Sequence, residues 1–104
     1  MSTREIIDSY FACVNSHRWD DYLDLFADNV VMEEQLAGHI EGKTAVAKGI
    51  EGLRTSKFFQ NHPVQIVVDG DKAVALFHLQ TVGPHGEPIE AKGANYYEIA
   101  NGKI

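Results

Sequence analysis

Residues 64–104 read VQIVVDGDKAVALFHLQTVGPHGEPIEAKGANYYEIANGKI. Val64 to Asp69 and Lys72 to Val82 are runs rich in β-branched and aromatic residues, separated by a tight turn at Asp69, Gly70 and Asp71. A second turn, Gly83 to Gly86 with Pro84 inside it, leads into a third run from Pro88 to Ala100. Asn101 and Gly102 then form a pair that favours positive φ and closes hairpins. This half of the chain therefore predicts a meander of long antiparallel strands.

Working back from that meander, Lys43 to Arg54 carries Val46, Ile50 and Leu53 at helical spacing. Gly49 and Gly52 weaken that helix by about 1 kcal/mol each relative to alanine. Val30, Val31 and Met32 predict a strand, which runs through Glu33, Glu34, Gln35 and Leu36 to a turn and a short second strand ending at Gly42. Trp19, Tyr22, Leu23 and Phe26 mark a short helix, after a polar break from Asn15 to Arg18. Thr3 to Ser16, with Ile6, Ile7, Tyr10, Phe11 and Val14, marks a longer one. Ser2 followed by Glu5 fits a capping box at its start. Helices first and strands last imply an α+β fold, with about three helices packed on one face of a mostly antiparallel sheet.

The chain has 104 residues, 44% hydrophobic and 23% charged, so a single domain is expected over residues 1–104. At this size folding buries roughly two-thirds of the unfolded surface, enough for a core without disulfides. The net charge is −6, and its excess is local. Eight acids and two bases lie between Met1 and Leu36, while the remainder balances at seven against seven. No basic cluster of the kind that binds nucleic acid is present. No run of about 18 apolar residues could span a bilayer, and the N-terminus has no secretory pattern, which makes the cytoplasm the expected compartment. Cys13, the single cysteine, sits at helical spacing among apolar residues and is expected to pack. His17, His39, His62 and His85 fall in breaks and turns, and no pair has the spacing of a metal site on one helix. No phosphate loop, nucleophile elbow or dinucleotide fingerprint occurs. Neither a metal nor a cofactor is expected.

After the N-terminal helix, two stretches carry a resemblance across the whole chain. They are RWDDYLDLFADNVVMEEQLAGHIEGKTAV, with its Leu25, Phe26, Ala27 and Asp28 and the Gly42 and Ala45 that open the third helix, and the closing GANYYEIANGKI. Together they resemble the nuclear transport factor 2-like superfamily, near its SnoaL-like and ketosteroid isomerase-like branches. The resemblance implies a cone in which a strongly curved sheet wraps a pocket closed by helices. It also implies a further strand after Asn101 and Gly102, where this sequence has only Lys103 and Ile104, so either the sequence stops short of that strand or the third long strand is left as an edge. Enzymes and non-catalytic modules both share this fold, so fold alone does not decide function.

Laid along the isomerase-like pattern, the sequence places Tyr10 as a hydrogen-bond donor to a developing enolate, Glu34 as the carboxylate that moves the proton, and Asn95 where those isomerases keep a protonated acid. Alternation puts Val30, Met32 and Glu34 on one face of the first strand. Ile89, Ala91, Gly93, Asn95, Tyr97 and Ile99 share a face of the last, with space for a ligand expected at Ala91 and Gly93. Pairing Val82 with Glu87 across the second turn would add Val74, Leu76, His78 and Gln80 to that face. Met32, Phe26, Leu76, His78 and Tyr97 are accordingly the expected ligand-lining residues. The opposite face, with Phe77 and Leu79 from the second long strand and Ala94 and Tyr96 from the third, is also apolar, and both physics and the resemblance point to a homodimer there. Two functions remain open at this point: acid–base conversion of a small hydrophobic carbonyl compound, or ligand binding or dimerisation without catalysis.

Overall fold

A computed structural model of the chain describes residues 1–34, 38–56 and 58–104, with the backbone alone at 33 and 34. The expected path through Gln35 and Leu36, and the side chain of Glu34, lie outside the described residues. Helix α1 spans Thr3–Asn15 and begins with the reciprocal cap foreseen from Ser2 and Glu5. The Ser2 side chain accepts from the Glu5 amide at 3.2 Å, and the Glu5 carboxylate accepts from the Ser2 amide at 3.0 Å. Hydrogen bonding from the Ser2 backbone amide first, and from the Ser2 side chain second, holds the Glu5 carboxyl below its ordinary pKa. Helix α2 (Trp19–Asp24) follows, then the hairpin of β1 (Val31–Glu34) and β2 (Gly38–Glu41).

The expected third helix is two: α3 (Lys43–Gly49) and α4 (Glu51–Arg54), broken at Ile50, directly after Gly49. Strands β3 (Phe59–Asp69), β4 (Lys72–Val82) and β5 (Pro88–Glu98) then form an antiparallel sheet in sequence order. Strand β3 starts five residues before the expected Val64. Pro63 reads as a breaker, yet β3 is an edge strand, which tolerates proline, and the register shift between Pro63 and Gln65 absorbs it. Asn101 and Gly102 take φ of 54° and 76°, the turn expected of them. Beyond β5 the chain makes a bridge between Ala100 and Lys103. Ile104 then bonds Leu25 and Ala27 through its N–H and C=O, both at 2.9 Å.

One correction follows from the second turn. Val82 pairs with Pro88, not Glu87. The Glu87 carboxylate folds back into the loop and accepts from the His85 amide at 2.9 Å, while the Glu87 carbonyl accepts from the Gly83 amide at 2.8 Å. A side chain at Gly83 would collide with that carboxylate, so the loop consumes one residue more than a direct pairing would. Slipping by one residue turns every side chain of the partner strand over. Ala73, Ala75 and Phe77 therefore share the face of Tyr97, Asn95 and Gly93, and Leu76 and His78 point to the other side.

The inner face packs against α1. Ile6, Ile7 and Phe11 from the helix meet Ala73, Ala75, Tyr97 and Ile99 from the sheet. A second cluster joins Cys13, Val14, Trp19, Tyr22, Phe26, Val30, Val46 and Ile50. Cys13 is a buried packing residue, and burial pushes its thiol pKa up. Tyr10 touches both clusters. At the free edge of β3, the Asn15 side chain accepts from the Asn61 amide at 2.6 Å and donates to its carbonyl at 2.8 Å, while His17 Nε2 lies 3.1 Å from the Phe59 carbonyl.

Candidate functional site

The helical periodicity that builds α1 also aims Tyr10 at the junction of the two clusters. Its ring lies 5.2 Å from Tyr97, 5.3 Å from Tyr22 and 5.0 Å from Phe11, with Phe26 at 6.4 Å. The Tyr97 and Phe11 contacts are edge-to-face, an arrangement aromatic quadrupoles favour. Tyr97 reaches this point because its strand position faces inward, opposite Ala73, whose small side chain admits the phenol.

Two residues before Tyr97, on the same face, Asn95 donates from Nδ2 to the Tyr97 hydroxyl at 3.0 Å. Burial raises the Tyr97 pKa strongly, and the neighbouring Tyr10 raises it further by charge and by hydrogen bonding. Only the bond from Asn95 acts in the other direction. Tyr97 therefore stays a neutral phenol throughout any ordinary pH range. The result is a line of polar tips, Asn95 to Tyr97 to Tyr10, between apolar walls.

The structure thus brings Tyr10, Asn95, Tyr97 and Phe26 together. Met32 packs against the helical cluster. The Glu34 backbone closes β1 opposite Gly38. Leu76 and His78 do not belong to this group. Leu76 is exposed on the outer face, and His78 Nε2 lies 3.6 Å from the Glu90 carboxylate there. The Gln80 side-chain amide at 3.2 Å, and then His78, hold the Glu90 carboxyl below its usual pKa.

The space expected beside Gly93 is also taken. The Phe77 ring lies over this glycine so closely that an added Cβ would sit 2.8 Å from it. Phe77 and Leu79, expected on the outer face, lie on the inner one, because their place depends on the β4–β5 register; the glycine opposite Phe77 was the available signal. A surface recess of about 400 Å³ lined by Ser56, Val82, Gly83, Pro84 and Gly86 contains none of the expected site residues. Among the described residues no group of three or more histidines, cysteines or acids could hold a metal ion. No helix among them is long and apolar enough to cross a membrane.

With this geometry in hand, the α+β cone is the fold of nuclear transport factor 2-like proteins of solved structure. The profile of the SnoaL-like domain matches residues 7–104, and the chain belongs to that family. Similar solved structures agree on the fold. RV0760c from Mycobacterium tuberculosis, solved in complex with estradiol-17beta-hemisuccinate, is 21% identical, with a TM-score of 0.85 covering 100% of this chain and 89% of its own. A polyketide cyclase, so described provisionally, from Pseudomonas putida is 21% identical, with a TM-score of 0.81 covering 100% and 86%. An LEH-like epoxide hydrolase of M. tuberculosis is 16% identical, with a TM-score of 0.84 covering 98% and 76%. No match is found among curated proteins.

Proposed function

We propose that this chain binds and converts a small, neutral, hydrophobic carbonyl compound by cofactor-free acid–base chemistry of the isomerase or cyclase type. The observation that carries this reading is the line of polar tips from Asn95 through Tyr97 to Tyr10, set between two apolar clusters. The occurrence of a steroid ester and of polyketide cyclase in the names of similar folds supports it.

In this mechanism Glu34 removes a proton from the carbon next to the carbonyl, and Tyr10 donates a hydrogen bond to the oxygen on which charge develops. A donor preset at that oxygen is worth about 3–4 kcal/mol in the transition state. Glu34 then returns the proton at a second carbon. Met32, Phe26 and Tyr97 supply the surrounding wall. Acids concentrated in the first third of the chain repel anionic ligands and favour a neutral one.

The protein works as a cytoplasmic homodimer in this proposal. The outer sheet face supports the dimer, since it exposes Val67, Val74, Leu76 and Tyr96 side by side across three strands. A non-catalytic binding role is favoured by one observation, the Phe77 ring that fills the inner face beside Asn95. Solvent-proton exchange and isomerisation of small cyclic enones separate the two. Wild type should outpace Glu34→Gln by at least about a hundredfold; equal rates would remove Glu34 from catalysis and leave the binding role.

A further inference from the structure

The resemblance to the isomerases makes Asn95 a direct contact of the ligand oxygen. The geometry points elsewhere. The Nδ2 of Asn95 is committed to the Tyr97 hydroxyl at 3.0 Å, and Tyr97 is 6% exposed, deep in the sheet-side cluster. The ring of Tyr97 in turn meets Tyr10 edge-on at 5.2 Å, and no other ring contact joins strand β5 to helix α1 in the described residues. We propose that Asn95 is a positioning residue that acts through Tyr97: its amide fixes the Tyr97 hydroxyl, and Tyr97 sets the orientation and donor strength of Tyr10 toward a carbonyl or enolate oxygen.

The physical basis is the direction of donation. An amide N–H gives only, whereas a phenol both accepts and gives. When Asn95 supplies the hydrogen to the Tyr97 oxygen, the Tyr97 proton is directed away from Asn95, toward the Tyr10 side. Donation into a hydroxyl polarises its own O–H, so such a line strengthens toward its far end. Asparagine in place of an acid has a consequence here. An acid at this position would lose its proton at high pH and with it the donation, while an amide holds the direction of the line at every pH. Tyr97 contributes the middle hydroxyl, a role that neither its aromatic bulk nor its apolar surroundings require.

This inference rests on the reading that Tyr10 faces the ligand oxygen, so its test has two arms. The first uses no ligand. With carbon-13 at the phenol carbon of the four tyrosines, NMR follows Tyr10 and Tyr97 in wild type, Asn95→Leu, Tyr97→Phe and the double variant. Asn95→Leu should shift both signals, and in the Tyr97→Phe background it should leave Tyr10 unmoved. A Tyr10 signal that shifts equally in both backgrounds, or in neither, overturns the relay. Asn95→Ala replaces Asn95→Leu if the latter melts early.

The second arm measures binding of para-substituted phenols of graded acidity, whose oxygen stands in for an enolate. Each single variant should weaken the most acidic phenol by about tenfold, and the double variant by no more than the weaker-binding single. Losses that multiply to about a hundredfold would put Asn95 on the ligand itself and overturn the relay. If wild type binds no phenol, the proposed function fails, while the tyrosine signals still decide whether Asn95 reaches Tyr10 through Tyr97.

Discussion

The two faces of the β4–β5 pair are built from adjacent residues and live in different worlds. On the inner face Ala73 and Ala75 are 2% and 0% exposed under helix α1. On the outer face their neighbours Val74 and Leu76 are 37% and 42% exposed. The larger, more hydrophobic side chains are the ones left outside. At these positions hydrophobicity therefore does not decide the face; room does, because small inward side chains on β4 let α1 lie close to the sheet beside Tyr97 and Ile99. The outer face keeps its apolar surface for something other than the chain's own helices.

Substituting one charge on each face should give the widest separation. Ala75→Asp buries a carboxylate with no partner and should cost more than about 4 kcal/mol, enough to leave little folded protein in urea or thermal melts. Leu76→Asp should change the unfolding free energy by less than about 1 kcal/mol in the same melts, and should lower the sedimenting mass if the outer face holds a second copy. Comparable losses at the two positions would end the distinction between the faces.

A smaller effect is expected where the inner face is filled by an aromatic ring. Gly93→Val drives a side chain into Phe77 and should cost about 1–3 kcal/mol, with much of the loss recovered by adding Phe77→Leu. Ala94→Val, one residue along and facing outward, should be close to neutral by the same denaturation measurement.

The smallest effect concerns pH. Burial first, and Tyr10 second, raise the pKa of Tyr97 in the folded state. Above about pH 10 an unfolded tyrosine loses its proton while folded Tyr97 keeps it, so the folded state binds more protons and stability falls as pH rises. The slope from this residue is at most about 1.4 kcal/mol per pH unit. Below that range the contribution is flat. Tyr97→Phe should flatten the alkaline limb of a stability profile. Tyr96, outward and exposed, is raised mainly by its 2.8 Å bond to Glu98, so Tyr96→Phe should flatten it less. An unchanged limb in Tyr97→Phe would mean that Tyr97 ionises in the folded protein.

These contrasts also explain what could be read from the chain alone. Local chemistry was legible: the Ser2 and Glu5 cap, the helical stripe that carries Tyr10, the Asn101 and Gly102 turn, and the α+β order all follow from residues a few positions apart. The face shared by Asn95 and Tyr97 was legible too, because strand alternation within β5 needs no partner. What failed depended on one strand meeting another. Leu76 and His78 were assigned inward because the Glu87 carboxylate was not expected to close the turn on itself, and one residue of slippage reversed them. Pro63 hid the start of β3 because its tolerance depends on that strand being an edge. Gly93 read as open space because the ring above it comes from β4.

The clasp between Asn15 and Asn61 bears on the order in which this protein assembles. A carboxamide offers the same acceptor and donor as a peptide bond, so Asn15 acts as a strand one residue long laid against β3. It joins positions 46 apart in the chain. During synthesis helix α1 is complete long before its partner exists, and its apolar stripe waits through the making of α2, the first hairpin and the short helices. Closing so long a loop is entropically slow, and contacts of this separation set the pace for folds of mixed topology. The edge of β3 that this amide covers therefore stays open until the loop closes, and during that interval nascent chains can pair with one another through it.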